Sequence, residues 1–485
     1  MSLSAECGWS LLRGASVAFL SVLLAFPLSS FLRSVSGRFK SFWWLLLVLP
    51  YLTPSLLTGY GYTALFLPLM RYPILTEICY TFLLLIKLAP VATLVLYLYP
   101  SAVSPEGVHC YSILRSSKRA CFLPATFLFV VRSRLGAVAV AFAVVFLLSF
   151  SEFELASLLG AAGWTGKLFD AQTGGFTLAA SIQMSLLPLL CEALLLVFTL
   201  ILLYREMGRG NSSFRAQVNV VDCRFIWAAL YLFASSALVT AFPLFVVVSN
   251  SVRGFGVLMQ NFPILKEIGA SALLAVTATF LSYVIAGWLS SGALSGRMRR
   301  RLLILALSLC APGLLGALLL SLFILYVFQM PGLSGAYDTP IPLLLCLLLI
   351  LLPFAVLLRL LLHSAGQGSA IHAASLMRLS PVRFCRLRAA RLVRKIRNRG
   401  WLWLVFLLFC IAYFDMTASS VLAPSSMTLV SARLYNLMHY GRSAVLSAMV
   451  FVTFLVPFVF VFCVAMIRTI YSQTGHYEQS SVEAQ

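Results

Sequence analysis

Residues 372–413 read HAASLMRLSPVRFCRLRAARLVRKIRNRGWLWLVFLLFCIAY. The first part holds nine Arg and Lys residues between Arg378 and Arg399 and no acidic residue. The second part, Trp401–Tyr413, is apolar and is soon followed by Asp415. Because Lys and Arg resist translocation, a basic segment beside an apolar span marks the cytoplasmic side. The stretch therefore predicts a transmembrane helix that enters from the cytoplasm and ends near Asp415 on the outer side.

The composition extends this interpretation to the whole chain. Its 485 residues are 61% hydrophobic and only 10% charged, and the mean hydropathy is +0.99. Apolar runs of about 20 residues recur, each long enough to cross a hydrocarbon core of roughly 30 Å. The runs are continuous rather than alternating, so they favour helices over the strands of a barrel. We therefore predict an all-α, polytopic transmembrane helical bundle.

Eleven spans are predicted, and the basic loops orient them. The predicted spans are 11–33, 42–67, 76–99, 128–152, 175–203, 223–249, 268–293, 302–328, 341–362, 401–422 and 443–468. The Arg and Lys residues concentrate in alternate loops, at 33–41, 100–134, 204–222, 294–301 and 363–400, which are predicted to be cytoplasmic. The odd count places the amino terminus outside and the carboxyl terminus inside.

The net charge of +21 is explained by this topology better than by a nucleic-acid partner, since most basic residues fall in short loops between spans. The eleven cysteines include no C-x-x-C and no pairing with His at metal spacing. The first apolar run is long and is followed by Arg33, Arg38 and Lys40, so it is predicted to be a retained span rather than a cleaved signal peptide.

The chain contains a degenerate internal repeat. FSEFELASLLG at 150–160 aligns with YFDMTASSVLA at 413–423, which sets Glu152 opposite Asp415 at an offset of 415 − 152 = 263. Three further matches occur in the same order, namely SGRFK at 36–40 with SGRMR at 295–299, Pro54 with Pro312, and KLFD at 167–170 with RLYN at 433–436. A unit used twice in a membrane chain is typical of a pseudo-symmetric transport path.

The repeat predicts a division of the chain. Residues 1–204 form a first repeat with five spans, 205–222 a polar cytoplasmic linker, 223–470 a second repeat with six spans, and 471–485 a cytoplasmic tail. The second repeat has an extra leading span, 223–249, with no counterpart before Leu11.

The region from 372 to 442 resembles a known family. A basic cytoplasmic loop, an apolar span, an acid near its outer end, APSSMTL at 423–429 and RLYNLMHYG at 433–441 look like the permease of binding-protein-dependent ABC importers. The pattern is most similar to the fused, two-repeat permeases of the ferric iron uptake type. The resemblance implies two pseudo-symmetric bundles around an alternating-access path in the bacterial inner membrane. It also implies two copies of a separate ABC ATPase subunit inside and a periplasmic solute-binding protein outside.

The same resemblance implies a cytoplasmic coupling loop in each half that docks on an ATPase subunit. In the second loop His372 stands where the family has Glu, and Arg378 stands where it has Gly. The residues assigned to the coupling loops are Glu106, Leu114, Arg115, Lys118, Arg119, Leu123, Pro124, His372, Ala373, Ala374, Arg378, Ser380, Pro381, Arg383, Phe384, Arg386 and Leu387.

The residues of the second loop also support a docking role without the resemblance. A short helix at 378–387 would present Phe384 and Leu387 on one face, with Arg383 and Arg386 beside them, as an apolar knob ringed by cations. The alternative is a basic juxtamembrane segment held against anionic lipid.

Three sets of residues within the spans are candidates for the transport path. Glu152 and Asp415 lie near the outer ends of matching helices, where they could attract a cation, position a binding protein, or bond to a neighbouring loop. Pro50, Pro54 and Pro312 are predicted to break helices that border the path. Lys87 and Glu192 lie deep inside spans, where an isolated charge is costly, and are predicted to form a buried pair.

Catalysis finds little support in the sequence. GAAGWTGK at 160–167 lacks the glycine spacing and the Ser or Thr of a phosphate-binding loop, and His439 has no carboxylate at ligand spacing. No catalytic, cofactor or metal site is predicted, and ATP hydrolysis is expected in a partner chain. The alternatives are the same scaffold importing thiamine, a polyamine or another small solute, an ATP-independent secondary transporter, and a membrane-embedded enzyme.

Overall fold

The structure of the chain is a computed structural model. It describes residues 3–35, 39–69, 71–98, 135–175, 177–208, 225–261, 263–294, 299–364, 376–377, 389, 400–439 and 443–483. Within these ranges the regular elements are helices and no strand occurs. The all-α prediction is confirmed for this part of the chain.

The described residues of the first portion form eight α-helices. They are α1 (Leu3–Ser34), α2 (Lys40–Leu52), α3 (Ser55–Leu69), α4 (Pro73–Leu98), α5 (Leu135–Phe150), α6 (Glu154–Leu159), α7 (Trp164–Thr173) and α8 (Leu178–Gly208).

The second portion begins with a helix that changes register. α9 (Phe225–Ser236) passes through a π-helical segment, Ala237–Ala241, into α10 (Phe242–Ser251). The other α-helices among the described residues are α11 (Phe255–Asn261), α12 (Ile264–Leu294), α13 (Arg299–Cys310), α14 (Ala317–Phe328), α15 (Ile341–Ser364), α16 (Trp401–Phe414), α17 (Thr417–Leu422), α18 (Val430–His439) and α19 (Ser443–Glu483). Because α19 runs to Glu483, the predicted tail from 471 continues a helix.

Seven described helical segments are long and apolar enough to cross a membrane, or eight if the bent pair α2 and α3 is one span. The seven are Ser4–Ser34, Pro73–Tyr97, Ala179–Thr199, Ile226–Ser251, Ile264–Ser290, Ile341–Arg359 and Ala444–Val464. The chain is therefore a multi-pass membrane protein.

The predicted count of eleven spans is not confirmed. Three predicted spans, 128–152, 302–328 and 401–422, correspond to the apolar helices α5, α14 and α16, which have 16, 12 and 14 residues. At 1.5 Å per residue these are shorter than a hydrocarbon core of about 30 Å. α14 begins and α16 ends at a break in the helix, so sequence hydropathy alone overstated the length of these two; α5 begins at Leu135, the first residue described after 98.

Long helices pack closely in both portions. α1 runs along α4 and α5, while α12 runs along α15 and α16. Fully buried alanines such as Ala18 and Ala25 on α1 and Ala89 and Ala92 on α4 contribute to the core. Small residues let helix backbones approach where lipid gives no hydrophobic drive for association.

Two of the three predicted proline breaks are confirmed. α2 ends at Leu52, α3 begins at Ser55, and their axes differ by 74° around Pro54. Pro312 opens a 3-10 turn, Pro312–Leu314, between α13 and α14. Gly313 lies so close to the carbonyl oxygen of Leu349 on α15 that a Cβ would overlap it, which explains the glycine after this proline.

The prediction that Pro50 breaks its helix is wrong. Pro50 lies inside α2 and cannot donate a hydrogen bond to the carbonyl of Leu46, four residues earlier. Ser236 at the end of α9 donates its hydroxyl to that carbonyl at 2.9 Å. The helix therefore continues through Pro50 because a neighbouring helix supplies the missing donor.

The π-helical segment in turn accepts hydrogen bonds from side chains of α3. Pro243 removes a donor that the carbonyls of Leu238 and Val239 would otherwise use. Tyr62 Oη donates to the Leu238 carbonyl at 2.9 Å, and Thr58 Oγ1 donates to the Val239 carbonyl at 3.3 Å. Both portions thus exchange hydrogen bonds at positions that prolines leave unpaired.

Candidate functional site

The candidate site lies where the junction between α5 and α6 meets the junction between α16 and α17. Glu152, in the first junction, accepts hydrogen bonds from the amides of Leu155 at 2.7 Å and Ala156 at 3.1 Å. Tyr80 of α4 donates its hydroxyl to the same carboxylate at 2.9 Å. Glu152 therefore caps the amino terminus of α6 and fixes it to α4.

The second junction repeats the capping arrangement. Asp415 Oδ1 accepts a hydrogen bond from the amide of Ala418 at 2.7 Å and so caps α17. Of the roles considered for Glu152 and Asp415, a carboxylate bonded at a helix end describes the contacts of both. Their position near a transport path stays a prediction.

Glu154 joins the two junctions directly. Its Oε1 accepts hydrogen bonds from the amide of Met416 at 2.8 Å and from the amide and hydroxyl of Thr417, each at 3.2 Å. A carboxylate at the start of α6 thus satisfies amides at the start of α17, 262 and 263 residues later in the chain. The free amides at a helix amino terminus and its dipole both favour such an anion.

Lys87 supplies positive charge to this acidic cluster. Its Nζ donates to Ser55 Oγ, the first side chain of α3, at 2.6 Å. The ammonium also interacts electrostatically with the carboxylates of Glu152 and Glu154. Lys87 therefore ties the α2–α3 break to the α5–α6 junction.

The predicted pair between Lys87 and Glu192 is wrong. Glu192 on α8 is 0% exposed, and neither of its carboxylate oxygens has a hydrogen-bond partner among the described residues. The pairing was expected because both residues lie deep inside their spans. Lys87 instead faces α3 and the acids that follow α5. Glu192 remains a buried carboxyl group that needs another explanation.

A second cluster extends the network along α1. Arg13 forms an ion pair with Glu77 at 2.8 Å, and its Nη1 also donates to the carbonyl of Ala162 at 2.9 Å. Its guanidinium lies 4.8 Å from the centre of the Tyr80 ring, which links it to the cap at Glu152. α1, α4 and the α5–α6 junction are thus held by one chain of polar contacts.

The cluster can hold elements in place and present negative charge at one position in the bundle. The carboxylates of Glu152 and Glu154 interact with one ammonium group, that of Lys87, and the carboxylate of Asp415 lies near that of Glu154. Among the described residues no group of three or more His, Cys, Asp or Glu side chains is arranged to hold a metal ion.

The residues assigned to the coupling loops lie outside the described residues, so their placement stays a prediction. They are Glu106, Leu114, Arg115, Lys118, Arg119, Leu123, Pro124, His372, Ala373, Ala374, Arg378, Ser380, Pro381, Arg383, Phe384, Arg386 and Leu387.

Sequence reasoning missed Glu154, Arg13 and Glu77. A signal for Glu154 was present, since it is the second acid of F-S-E-F-E and its aligned position holds Thr417, a possible partner rather than a second acid. Arg13 and Glu77 lie near the ends of apolar runs, where a charge is usually solvated, and their pairing depends on helix packing that the sequence does not specify.

Comparison with protein families, with curated proteins and with solved structures gives no match for this chain. The site is therefore interpreted from its own geometry.

Proposed function

We propose that the chain is the transmembrane permease subunit of an ATP-driven ABC importer, built from two copies of one helical unit in a bacterial inner membrane. Its proposed cargo is ferric iron delivered by a periplasmic solute-binding protein. The observation that carries the proposal is that matched positions of the two halves make the same contacts.

The caps are the first matched contacts. Glu152 binds the amide of Leu155, and Asp415 binds the amide of Ala418. Both the acids and the amides are separated by 263 residues, the offset at which the two stretches align. Equal roles at equal offsets support a duplication, because unrelated helices have no reason to share both the acid and its partner.

The second matched contacts are two ion pairs. Lys167 on α7 pairs with Glu6 on α1 at 3.0 Å, and Arg433 on α18 pairs with Glu267 on α12 at 2.8 Å. The two basic residues are separated by 433 − 167 = 266 positions in the sequence and the two acidic residues by 267 − 6 = 261. Both separations are close to the offsets at which the repeat aligns. Each pair joins the short helix after a junction to the long helix that opens the repeated unit.

Transport is supported by where the polar groups lie. Charged side chains and broken helices inside a membrane are costly and are found where protein or a water-filled path satisfies them. Here the Pro54 break, Lys87 and the acids of both junctions converge where the proposed halves meet. Rocking of one half against the other would change this contact first.

In this mechanism the loops near 106–124 and 372–391 transmit movement from two ATPase subunits. Replacing Phe384 and Arg386 by Ala is expected to remove the ATP hydrolysis that accompanies the chain when it is purified from its native membrane. Lys266→Ala serves as the control, because Lys266 is exposed in the segment predicted to lie outside. Hydrolysis that survives the double replacement would refute the assigned coupling loop.

A secondary transporter driven by an ion gradient is the second candidate. It is favoured by Glu192, a fully buried carboxyl group without a hydrogen-bond partner among the described residues, since such groups in membranes often carry protons or ions. Solute uptake by proteoliposomes that contain only this chain would support it over the importer. Thiamine and polyamines remain alternative cargoes of the importer scaffold.

A further inference from the structure

The end of α1, the start of α2 and the end of α4 meet at one corner of the bundle. Trp43 of α2 packs edge-on against Phe31 of α1, with ring centres 5.1 Å apart, and Trp44 packs edge-on against Tyr97 of α4 at 4.7 Å. α1 and the pair α2–α3 are each apolar enough to cross a membrane. The corner where α1 ends and α2 begins therefore lies at a membrane surface, where tryptophan and tyrosine rings are enriched.

Two cations at this corner lie beside the same aromatic ring. The guanidinium carbon of Arg33 is 5.4 Å and the ammonium nitrogen of Lys40 is 5.9 Å from the centre of the Tyr97 ring. The two charges are therefore no farther apart than the sum of these distances. Arg33 Nη2 also donates to the carbonyls of Leu96 and Tyr97, at 2.9 and 3.0 Å, which fixes the guanidinium at the end of α4.

These cations have no acidic partner in the described part of the chain. The sequence contains no Asp or Glu from 7 to 76, and neither Arg33 nor Lys40 forms an ion pair with a carboxylate among the described residues. The start of α2 adds to the positive charge, because Phe39 at its N-cap makes no side-chain cap and leaves the first amides of the helix open. Arg33, Lys40 and the start of α2 thus form a basic patch that is complementary to an anion.

An apolar stripe on α2 adjoins the basic patch. Phe39, Phe42 and Leu45 are 73%, 43% and 41% exposed. Their spacing of three residues places them on one side of the helix, which in a membrane protein faces acyl chains. An anionic phospholipid carries both a negative headgroup and acyl chains, and such lipids are concentrated in the cytoplasmic leaflet, the side on which the sequence places the 33–41 loop.

We propose that the basic patch binds the headgroup of an anionic phospholipid, whose acyl chains lie along the apolar stripe. The Lys40 ammonium contacts the lipid phosphate, while the fixed Arg33 guanidinium and the amides at the start of α2 attract it at longer range. The bound lipid holds the α1–α2 corner at one membrane surface. The proposal depends on the chain being a membrane protein and not on its cargo or on an ATPase partner.

Native mass spectrometry of the full chain in detergent tests the proposal. The chain is titrated with phosphatidylglycerol, which is anionic, and separately with phosphatidylcholine, which has no net charge. Phosphatidylglycerol should bind more tightly, and Lys40→Gln should weaken its tightest binding about fivefold, the loss expected for one basic residue beside an anionic headgroup. Binding of phosphatidylcholine should be unchanged by this substitution.

Two further variants separate the site from a general effect of charge. Lys40→Arg retains the charge and should retain the preference for phosphatidylglycerol. Lys266→Gln is the matched control, because it removes an exposed cation from the segment predicted to lie on the opposite side, and it should leave the tightest binding unchanged. Equal losses in Lys40→Gln and Lys266→Gln, or equal binding of both lipids to the native chain, would overturn the proposal. The assay involves neither ATP hydrolysis nor transport, so its failure is distinguishable from failure of the proposed function.

Discussion

At the level of single residues, two buried carboxyl groups of this bundle differ in their hydrogen-bond partners. Glu267 is 1% exposed and its Oε1 accepts two hydrogen bonds from Arg433, at 3.1 and 2.8 Å. Glu192 is at least as buried and has no hydrogen-bond partner among the described residues. Removing one partner of a buried ion pair is costly, whereas removing an unpaired buried acid relieves a penalty.

We therefore predict opposite effects of the same substitution at these two positions. Glu192→Met should raise the free energy of unfolding by about 1–3 kcal/mol, whereas Glu267→Met should lower it, because it removes the buried carboxylate that accepts two hydrogen bonds from Arg433. Unfolding of each full-length variant in the same detergent, followed by circular dichroism, measures both. Destabilisation by Glu192→Met would show that Glu192 has a partner in the folded protein.

At the level of elements, the clearest interface joins the broken helix α2–α3 to the π-helical segment. Thr53 Oγ1 donates to the Leu49 carbonyl at 2.8 Å and lies 2.6 Å from Thr240 Oγ1, so Thr240 acts as donor to Thr53. Gly61 lies against Pro243, where a Cβ would be 2.6 Å from the proline Cα. π-helical turns often mark functional positions. This one is held against α3 by hydrogen bonds from hydroxyl groups and by a close approach of the two backbones.

A double-mutant cycle on Thr53 and Thr240 tests this interface. Thr53→Val and Thr240→Val should each destabilise the chain, and the pair should show a coupling energy of about 0.6 kcal/mol, as found for hydrogen bonds between membrane helices. Thr277→Val replaces Thr240→Val in the control cycle, because the Thr277 hydroxyl donates within α12, to the carbonyl of Leu273 at 2.7 Å. Additive effects of Thr53→Val and Thr240→Val would show that the two hydroxyls do not interact.

A second element-level prediction concerns the loops outside the spans. Ser425, between α17 and α18, donates its amide and its hydroxyl to the carboxylate of Asp338, each at 2.6 Å. These hydrogen bonds lower the pKa of Asp338 below its ordinary value. Because the folded-state pKa is lowered, the contact stabilises the fold at pH values above the ordinary pKa and is lost as the pH falls through the lowered one.

Hydrogen exchange at the Ser425 amide should follow this titration. Protection, corrected for the intrinsic exchange rate, should be constant from neutral pH down to the ordinary aspartate pKa of about 3.9 and fall only below it. Asp338→Asn should reduce protection at neutral pH and remove this acid transition. A transition centred above the ordinary pKa would contradict the assigned hydrogen bonds.

At the level of the whole molecule, the sequence predicted most of the helices but not how they end. Each predicted span overlaps a helix, because continuous apolar runs and basic loops report on burial in lipid directly. Hydropathy could not reveal that α14 and α16 are short, since the residues beyond their breaks are also apolar. It also missed the continuity of α2 through Pro50, which depends on a hydroxyl from α9.

The candidate site was predicted in part. Alignment of the two stretches found Glu152 and Asp415, because their role requires an acid at a fixed distance from a helix start. It did not find Glu154, whose partners lie in the other portion of the chain, and it paired Lys87 with the wrong acid. Long-range contacts of this kind depend on the rotation of each helix, which the sequence of a uniformly apolar span leaves open.

A cryo-EM structure of the chain purified from its native membrane in nanodiscs with ATP is the most direct test of the account. We predict two helical units that superimpose, residues 3–208 on 264–483, with one nucleotide-binding subunit against each of the loops near 106–124 and 372–391. Units that do not superimpose, or loops that carry no such subunit, would contradict the account.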